Sequence, residues 1–318
     1  MKLIRGIHNL HSFTDGCVAT IGNFDGVHYG HQVIIRQLQA KAKALKLPAV
    51  VMVFEPQPRE FFDEDKAPAR LMRFREKLEA IAALDVEVLL CLQFNRRLRH
   101  LAAQQFVDQV LVDGLHVRHL VVGDDFRFGC DRAGDFELLQ ASGRKNGFSV
   151  DHTATVEVGG ARVSSTRIRK LLADGRFDKA EELLGYRYSI SGRVLHGRKL
   201  GRQLNVPTAN VNLGRRRSAL KGVYVVDVRM ASGEVWPGVA NVGYRPTVDG
   251  GDPKPNLEVH LLDFDQDLYG QRLKVEFLEK LRDEQRFADL NELKTRIHQD
   301  IDQARQFFLG RSKKVAEQ

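Results

Sequence analysis

Four apolar runs constrain the fold more than any other feature of this chain. They are CVATIGNF (17–24), PAVVMVF (48–54), VEVLLCLQF (86–94) and HLVVGDDF (119–126). A run without polar alternation is buried on both faces, the situation of a strand inside a parallel sheet. The segments between them carry helical spacing instead. GHQVIIRQLQAKAKALK (30–46) has Val33, Ile34, Leu38 and Ala42, and the segment 70–84 has Leu71, Leu78, Ile81, Ala82 and Leu84. LAAQQFVDQVLVD (101–113) reads as a third helix, ended by Gly114. Strands alternating with helices build βαβ units, and ligands of such sheets bind at the carboxyl ends of the strands. The N-terminal half is therefore predicted to be a Rossmann-like α/β layer structure with a parallel sheet.

The second half has a different texture. After two short helical segments, STRIRKLLADG (165–175) and RFDKAEELLG (176–185), come YSISGRVLHG, GVYVVDVRM, VWPGVANVG and LEVHLLDF. Short Val- and Ile-rich runs split by Gly, Pro and Asp predict an antiparallel barrel or sandwich. A final helix over 288–308 would place Leu290, Leu293, Ile297, Ile301 and Ala304 on one face. The change of texture puts the domain boundary near Gly185, giving domains 1–185 and 186–318.

Of 318 residues, 43% are hydrophobic and 28% charged, enough for two globular cores. No apolar run reaches the roughly 18–20 residues of a membrane span, so no membrane partner is expected. The start, MKLIRGIHNLHSF, lacks the apolar stretch of a secretory signal, and the three cysteines are scattered without a C-x-x-C pair. A cytoplasmic location is the resulting expectation. The net charge of +8 raises nucleic acid as a partner, but the charge is spread along the chain and is densest only at GRRRS (214–218). No aromatic-and-basic stacking platform accompanies it, so nucleic acid is not expected. Polyphosphate anions call for Arg and Lys equally well.

The stretch GNFDGVHYGHQ (22–32) follows the first apolar run and holds His28 and His31 around Gly30. Three readings compete: surface turn histidines, a metal pair with Asp25 as a third ligand, and a phosphate cradle. The phosphate reading uses more of the residues. A helix N-terminus offers free N–H groups and a positive dipole end, glycine lets the backbone approach, and imidazole N–H groups can donate to oxygens gaining charge. RVSSTRIR (162–169) fits the same chemistry, with hydroxyls and N–H groups at a helix start and Arg162, Arg167 and Arg169 beside them. In the second half, HGRKLGRQLNVPTANVNL (196–213) has Gly197 and Gly201 to close over an anion. On an extended stretch Thr208 and Asn210 point the same way and offer neutral oxygens suited to Mg²⁺. Glu258 by itself reads as a polar residue on the exposed side of a strand.

GNFDGVHYGH resembles the start of the prokaryotic bifunctional riboflavin kinase/FAD synthetase family, whose H-x-G-H element it shares with other nucleotidylyltransferases. GRxLxxPTAN, KGVYVV, GVANVGYRPT and LEVHLLDFDQDLYG follow in the order found in riboflavin kinases, so the resemblance covers almost the whole chain. It implies an N-terminal FMN adenylyltransferase and a C-terminal riboflavin kinase barrel, using riboflavin, FMN, ATP and Mg²⁺. It implies that His28 and His31 steady the α-phosphate and leaving group. Gly22, Asn23, Phe24, Gly30, Asp125, Arg162, Ser164, Ser165, Thr166 and Arg169 would then attend that ATP. FEPQP (54–58) matches the family's flavin wall, so Phe54, Pro56, Pro58 and Phe62 are implied to touch the isoalloxazine. In the kinase, Gly197, Gly201, Thr208 and Asn210 would hold ATP, with Thr208 and Asn210 also on Mg²⁺ and Glu258 as general base. LRDEQRF (281–287) implies Arg282 and Phe287 near riboflavin. The chain departs from the pattern at Asp125, where many relatives have Asn, and at Asn205 and Val206 in LNVPTAN, where glycine and an aromatic are usual. Two other readings are a nucleotidylyltransferase with a cytidylyl- or pantetheine-type acceptor, which the FEPQP wall and the C-terminal half disfavour, and a nucleic-acid-binding module.

Overall fold

The computed structural model describes residues 1–10, 13–196, 206–245 and 254–316. Its packing divides the chain into two units, Met1–Pro68 with Phe74–Ser165, and Ala69–Arg73 with Thr166–Gln318.

The first unit is a six-stranded sheet in which every neighbouring pair is parallel. Its strands are β1 (Lys2–Arg5), β2 (Cys17–Ile21), β3 (Ala49–Glu55), β4 (Val88–Gln93), β5 (Val117–Gly123) and β6 (Ser149–Thr153), in the order β1-β4-β3-β2-β5-β6. The four apolar runs are the four inner strands. β1 and β6 were not predicted; KLIR is short and SVDHT polar, and an edge strand that pairs on one side only need not be apolar. The helices are α1 (Tyr29–Leu45), α2 (Pro58–Phe62), α3 (Phe74–Ala82), α4 (Arg96–Arg99), α5 (Ala103–Phe106) and α6 (Phe136–Asn146). α1 buries Ile35, Leu38 and Ala42 against the sheet. The helix predicted over 101–113 is not uniform. α5 runs into a π-helical stretch, Val107–Val112, in which the Asp113 N–H reaches the Asp108 carbonyl at 2.8 Å. That wider turn buries Val107, Val110 and Leu111 together in the core. A small hairpin, β7 (Glu157–Val158) and β8 (Ala161–Arg162), precedes α7 (Ser165–Ala173).

The chain runs outward from β2 through β3 to β4, then crosses to the other side of β2 to lay down β5. The order thus reverses between β2 and β5, and an open parallel sheet binds its ligand in the crevice at such a point.

The second unit contains α8 (Phe177–Leu184) and a closed antiparallel barrel, not a sandwich. Its strands are β9 (Ser189–Leu195), β10 (Ala209–Val211), β11 (Gly222–Arg229), β12 (Val235–Arg245), β13 (Lys254–Leu261) and β14 (Arg272–Arg282), in the order β10-β13-β12-β11-β14-β9. β10 pairs with β9 to close the ring. Tyr224, Val226, Ala240, Val242, Leu257 and Phe277 fill the interior. Phe177 of α8 stacks on Phe277 at 6.2 Å and meets Tyr224 edge-on. α9 (Leu290–Ala316) continues past the predicted end at 308. Its Ile301 and Ala304 cover Val223, Val225 and Val239, whereas Leu290, expected on that face, is 63% exposed.

Two polar groups inside the first unit give measurable consequences. Thr20 is buried in β2, and its Oγ1 has no hydrogen-bond partner among the described residues. Thr20→Val keeps the shape and removes an unsatisfied hydroxyl, so it should raise stability by about 1 kcal/mol, read as a higher urea midpoint. His119 is fully buried, with Nδ1 2.6 Å from Ser149 Oγ and Nε2 3.2 Å from Asp151. Burial holds its pKa below the ordinary imidazole value, against the pull of Asp151. The unfolded chain then binds more protons than the folded one as pH falls through the ordinary imidazole range, so stability is lost on acidification. The urea midpoint should drop between about pH 7.5 and about pH 5.5, and His119→Gln should flatten part of that slope.

Candidate active site

The first site begins where β2 ends. The turn Gly22–Val27 reverses the chain through two non-glycine residues in the left-handed region, Phe24 (φ 45) and Val27 (φ 36). Each costs of order 1–3 kcal/mol and persists because both side chains are buried. His28 is the N-cap of α1, and its Nδ1 accepts the His31 N–H at 3.4 Å. The cap sets the tautomer, so the neutral ring carries its proton on Nε2. His28 and His31 stack at 3.6 Å with an interplanar angle of 14°. Gly30 makes this possible, because a Cβ there would lie 3.3 Å from His28 Nδ1. Stacked rings do not converge their in-plane lone pairs on one ion, and His28 Nδ1 is committed to the cap, so the metal-pair reading fails on geometry. Burial, His28 and the buried Lys77 of α3 hold the His31 pKa well below its usual value, leaving a neutral imidazole. Its Nδ1 has no partner among the described residues.

Beside this turn lies a cavity of about 780 Å³ at the carboxyl ends of the inner strands. Gly22 and Asn23 line it from β2, Phe54, Pro58 and Phe62 from β3 and α2, and Asp125 from the loop after β5. These are six of the residues singled out by sequence; Pro56 and Phe24 are not among its lining. Phe94, Phe106, Phe126 and Phe128, which were not singled out, complete an aromatic wall. Phe94 meets Phe54 and Phe62 edge-on, each at 5.9 Å, and Phe126 stacks on Phe128 at 5.6 Å. The signal was present, since Phe94 ends the third apolar run, Phe126 ends the fourth and Phe128 follows two residues later. The Arg99 guanidinium lies over the Phe62 ring at 4.9 Å.

Arg162 pairs with Asp125 at 2.7 Å and with Asp124 at 3.7 Å, and Thr155 Oγ1 donates to the Asp124 carboxylate. Asp125 is thereby joined to the basic segment. Ser165 Oγ donates to the Asp25 carbonyl at 2.9 Å, tying the start of α7 to the histidine turn. Ser164 immediately precedes α7. Thr166 and Arg169 fall in the second unit, where Arg169 Nε donates to the Ala69 carbonyl at 2.5 Å.

The second site lies on the barrel. Antiparallel register sets Asn210 of β10 opposite Glu258 of β13, and Glu258 opposite Asn241 of β12. Leu257 and Val259 are buried inside, so Asn256, Glu258 and His260 share the other face of β13. Asn210 Oδ1 is buried without a partner among the described residues. A buried, unsatisfied neutral oxygen near a carboxylate and a hydroxyl fits a hard divalent cation such as Mg²⁺. Thr208 lines a cavity of about 320 Å³ with Pro207, Ala209 and the loop Phe264–Tyr269. His260 Nδ1–H donates to the Pro207 carbonyl at 2.8 Å, holding the PTAN segment. Glu258 Oε1 accepts from Asn256 Nδ2 at 2.9 Å. Gly197, Gly201 and Asn205 lie outside the described residues.

Arg282 donates from Nε and Nη2 to the Asp300 carboxylate at 2.7–3.0 Å, which anchors α9 to β14, and its guanidinium lies 5.7 Å from the Phe287 ring centre. Glu284, which was not singled out, rests over Gly243: a Cβ at Gly243 would fall 1.9 Å from Glu284 Oε1. No sequence spacing links the two positions, because β12 and the segment after β14 meet only through the barrel.

Comparison with known proteins identifies both halves of the chain. Residues 10–167 match the family model for FAD synthetase and residues 184–308 that for riboflavin kinase. The chain is 58% identical over 305 residues to a Pseudomonas fluorescens protein described as bifunctional riboflavin kinase/FMN adenylyltransferase, covering 96% of this chain and 97% of that one. The Escherichia coli K12 protein of the same description is 53% identical over 309 residues, covering 97% and 98%. A crystal structure described as a macrolide-efflux protein from Streptococcus pneumoniae superposes with a TM-score of 0.78 at 31% identity, covering 96% of this chain and 99% of that chain. Among the described residues no helix is long and apolar enough to cross a membrane. Two family matches in sequence order, and full-length relatives at more than half identity, mean that the chain belongs to the bifunctional riboflavin kinase/FMN adenylyltransferase family.

Proposed function

We propose that the chain phosphorylates riboflavin to FMN on its C-terminal barrel, over residues 186–318, and adenylylates FMN to FAD on its N-terminal sheet, over residues 1–185, in the cytoplasm. The observation that carries this reading is the aromatic cavity beside His28 and His31 at the ends of the inner strands. Such a cavity suits a flat tricyclic ring, and the adjoining helix N-terminus suits phosphate.

In the kinase step the riboflavin 5′-hydroxyl attacks the γ-phosphorus of ATP, the bond to the β-phosphate oxygen breaks, and ADP leaves. Glu258 accepts the hydroxyl proton. Thr208 Oγ1 and Asn210 Oδ1 would hold Mg²⁺, which when bound neutralises phosphate charge. Gly197 and Gly201 are assigned to ATP in this reading. Phe287 borders riboflavin, and Arg282 keeps that ring in place.

In the adenylyl step an FMN phosphate oxygen attacks the α-phosphorus of a second ATP, and pyrophosphate leaves. His28 and His31, as N–H donors, take up charge on the α-phosphate and leaving group, with the α1 N-terminal amides around Gly30 beside them. Arg162, Ser164, Ser165, Thr166 and Arg169 hold the phosphates. Gly22, Asn23, Phe24 and Asp125 contact the nucleotide. Phe54, Pro56, Pro58 and Phe62 contact the isoalloxazine.

The two halves are separable by mutation. Protein given riboflavin, ATP and Mg²⁺ should yield FMN and FAD by chromatography. His28→Ala should lower FAD formation from FMN by about 10²-fold or more and leave FMN formation intact. Glu258→Ala should lower FMN formation by about 10²–10⁴-fold and leave FAD formation from supplied FMN intact. Wild-type protein that makes no FAD from FMN would sink the first assignment, and one that makes no FMN from riboflavin the second.

A further inference from the structure

We infer that Asn256 is the positioning residue of the kinase base: its side-chain amide fixes the Glu258 carboxylate in the orientation that receives the riboflavin proton. The inference rests on the reading of Glu258 as that base.

The argument starts with the strand. β13 is paired on both sides, with β10 and with β12, so its backbone has no freedom to tilt. Alternation turns Leu257, Val259 and Leu261 into the barrel, where all three are buried, and turns Asn256, Glu258 and His260 the other way. A carboxylate on a rigid strand still has rotatable side-chain bonds, and a base works only when its oxygen lies within hydrogen-bond reach of the proton. Asn256 removes that freedom. It lies two residues before Glu258 on the same face, and its Nδ2 is 2.9 Å from Glu258 Oε1. A carboxylate only accepts, so the amide presents its nitrogen.

The groups directly across from Glu258 are Asn210 and Asn241, both neutral amides. The contact from Asn256 comes from Glu258's own strand and bears on the orientation of the carboxylate. His260 does the parallel task on the other flank, through the Pro207 carbonyl. The outward row of β13 therefore aligns the base at one position and the segment bearing Thr208 and Asn210 at the next.

The experiment compares isosteres in the full-length chain. Asn256→Ala should lower kinase kcat about tenfold, with KM for riboflavin changed less than about twofold, since the contact orients a reacting group and does not bind substrate. Asn256→Asp has the same shape but no donor, and should lose at least as much. Asn256→His presents an N–H near the same point and should recover part of the loss. Riboflavin binding, read by flavin fluorescence quenching, and the thermal midpoint identify variants whose barrel is intact. A merely structural Asn256 predicts near-native kcat for Asn256→Asp, and that result overturns the inference, as does native kcat for Asn256→Ala. Glu258→Gln is the control. If it is inactive while Asn256→Asp is fully active, only the inference falls; if Glu258→Gln retains native kcat, the assignment of Glu258 falls and the inference with it.

Discussion

The reversal of strand order between β2 and β5 is the constraint on which the first half depends. A parallel sheet whose connections all ran one way would cover its strand ends with successive loops. Here β2 connects to one side and β5 is laid down on the other, so the loops after them diverge and leave a crevice. GNFDGVHYGH occupies one side of it and GDDFRFG the other. The tight turn through Phe24 and Val27 then brings α1 back over the sheet with its N-terminus at the crevice, and His28 becomes at once a helix cap and a member of the candidate site. The side chain that closes the helix is the one proposed to meet the ligand, so a change at His28 would disturb the cap as well as the chemistry.

The barrel obeys a different rule. Its candidate site is a row across three strands, in which Asn210, Glu258 and Asn241 are neighbours only because the register of β10, β13 and β12 makes them so. Closure is what enforces that register. A slip by one residue would turn Leu257 and Val259 outward and Glu258 into the core, at a cost no surface contact could offset. The apolar interior thus acts on the site from the opposite face of the same strand.

These two rules explain what could be read in the sequence. The inner strands β2 to β5 were legible because burial on both faces leaves uninterrupted apolar runs, and the edge strands β1 and β6 were not because half of their surface is free to be polar. The turn with His28 and His31 was legible because its residues are contiguous. The aromatic wall was only half legible: Phe54 and Phe62 lie in a recognisable segment, whereas Phe94 and Phe126 end apolar runs whose character already explains a phenylalanine. Asn256 and Glu284 were not legible. Asn256 touches a neighbour two residues along its own strand that reads by itself as an exposed polar residue, and Glu284 meets Gly243 only through barrel geometry. Arg282 shows the converse, a conspicuous basic residue in a family-like segment whose guanidinium is taken up by Asp300.

The contrast between the two sites follows from their nucleophiles. A phosphate monoester has its second pKa near 6, so an FMN phosphate is already largely anionic at neutral pH and has little proton to lose before it attacks. Such a reaction needs donors that accept growing negative charge, not a base. In the proposed reading the stacked imidazoles meet that need, and burial of His31, which holds its pKa well below the usual value, leaves no fixed cation at that ring to bind the ground state too well. A ribityl hydroxyl is the opposite case: it is neutral, it must lose a proton as the phosphorus–oxygen bond forms, and only a correctly aimed base receives it. The proposed kinase site accordingly has a carboxylate on a paired strand in contact with an amide, while the proposed adenylyl site relies on the donors of its histidine turn. One chain thus uses ATP twice with unlike machinery because the attacking groups arrive in different states of ionisation.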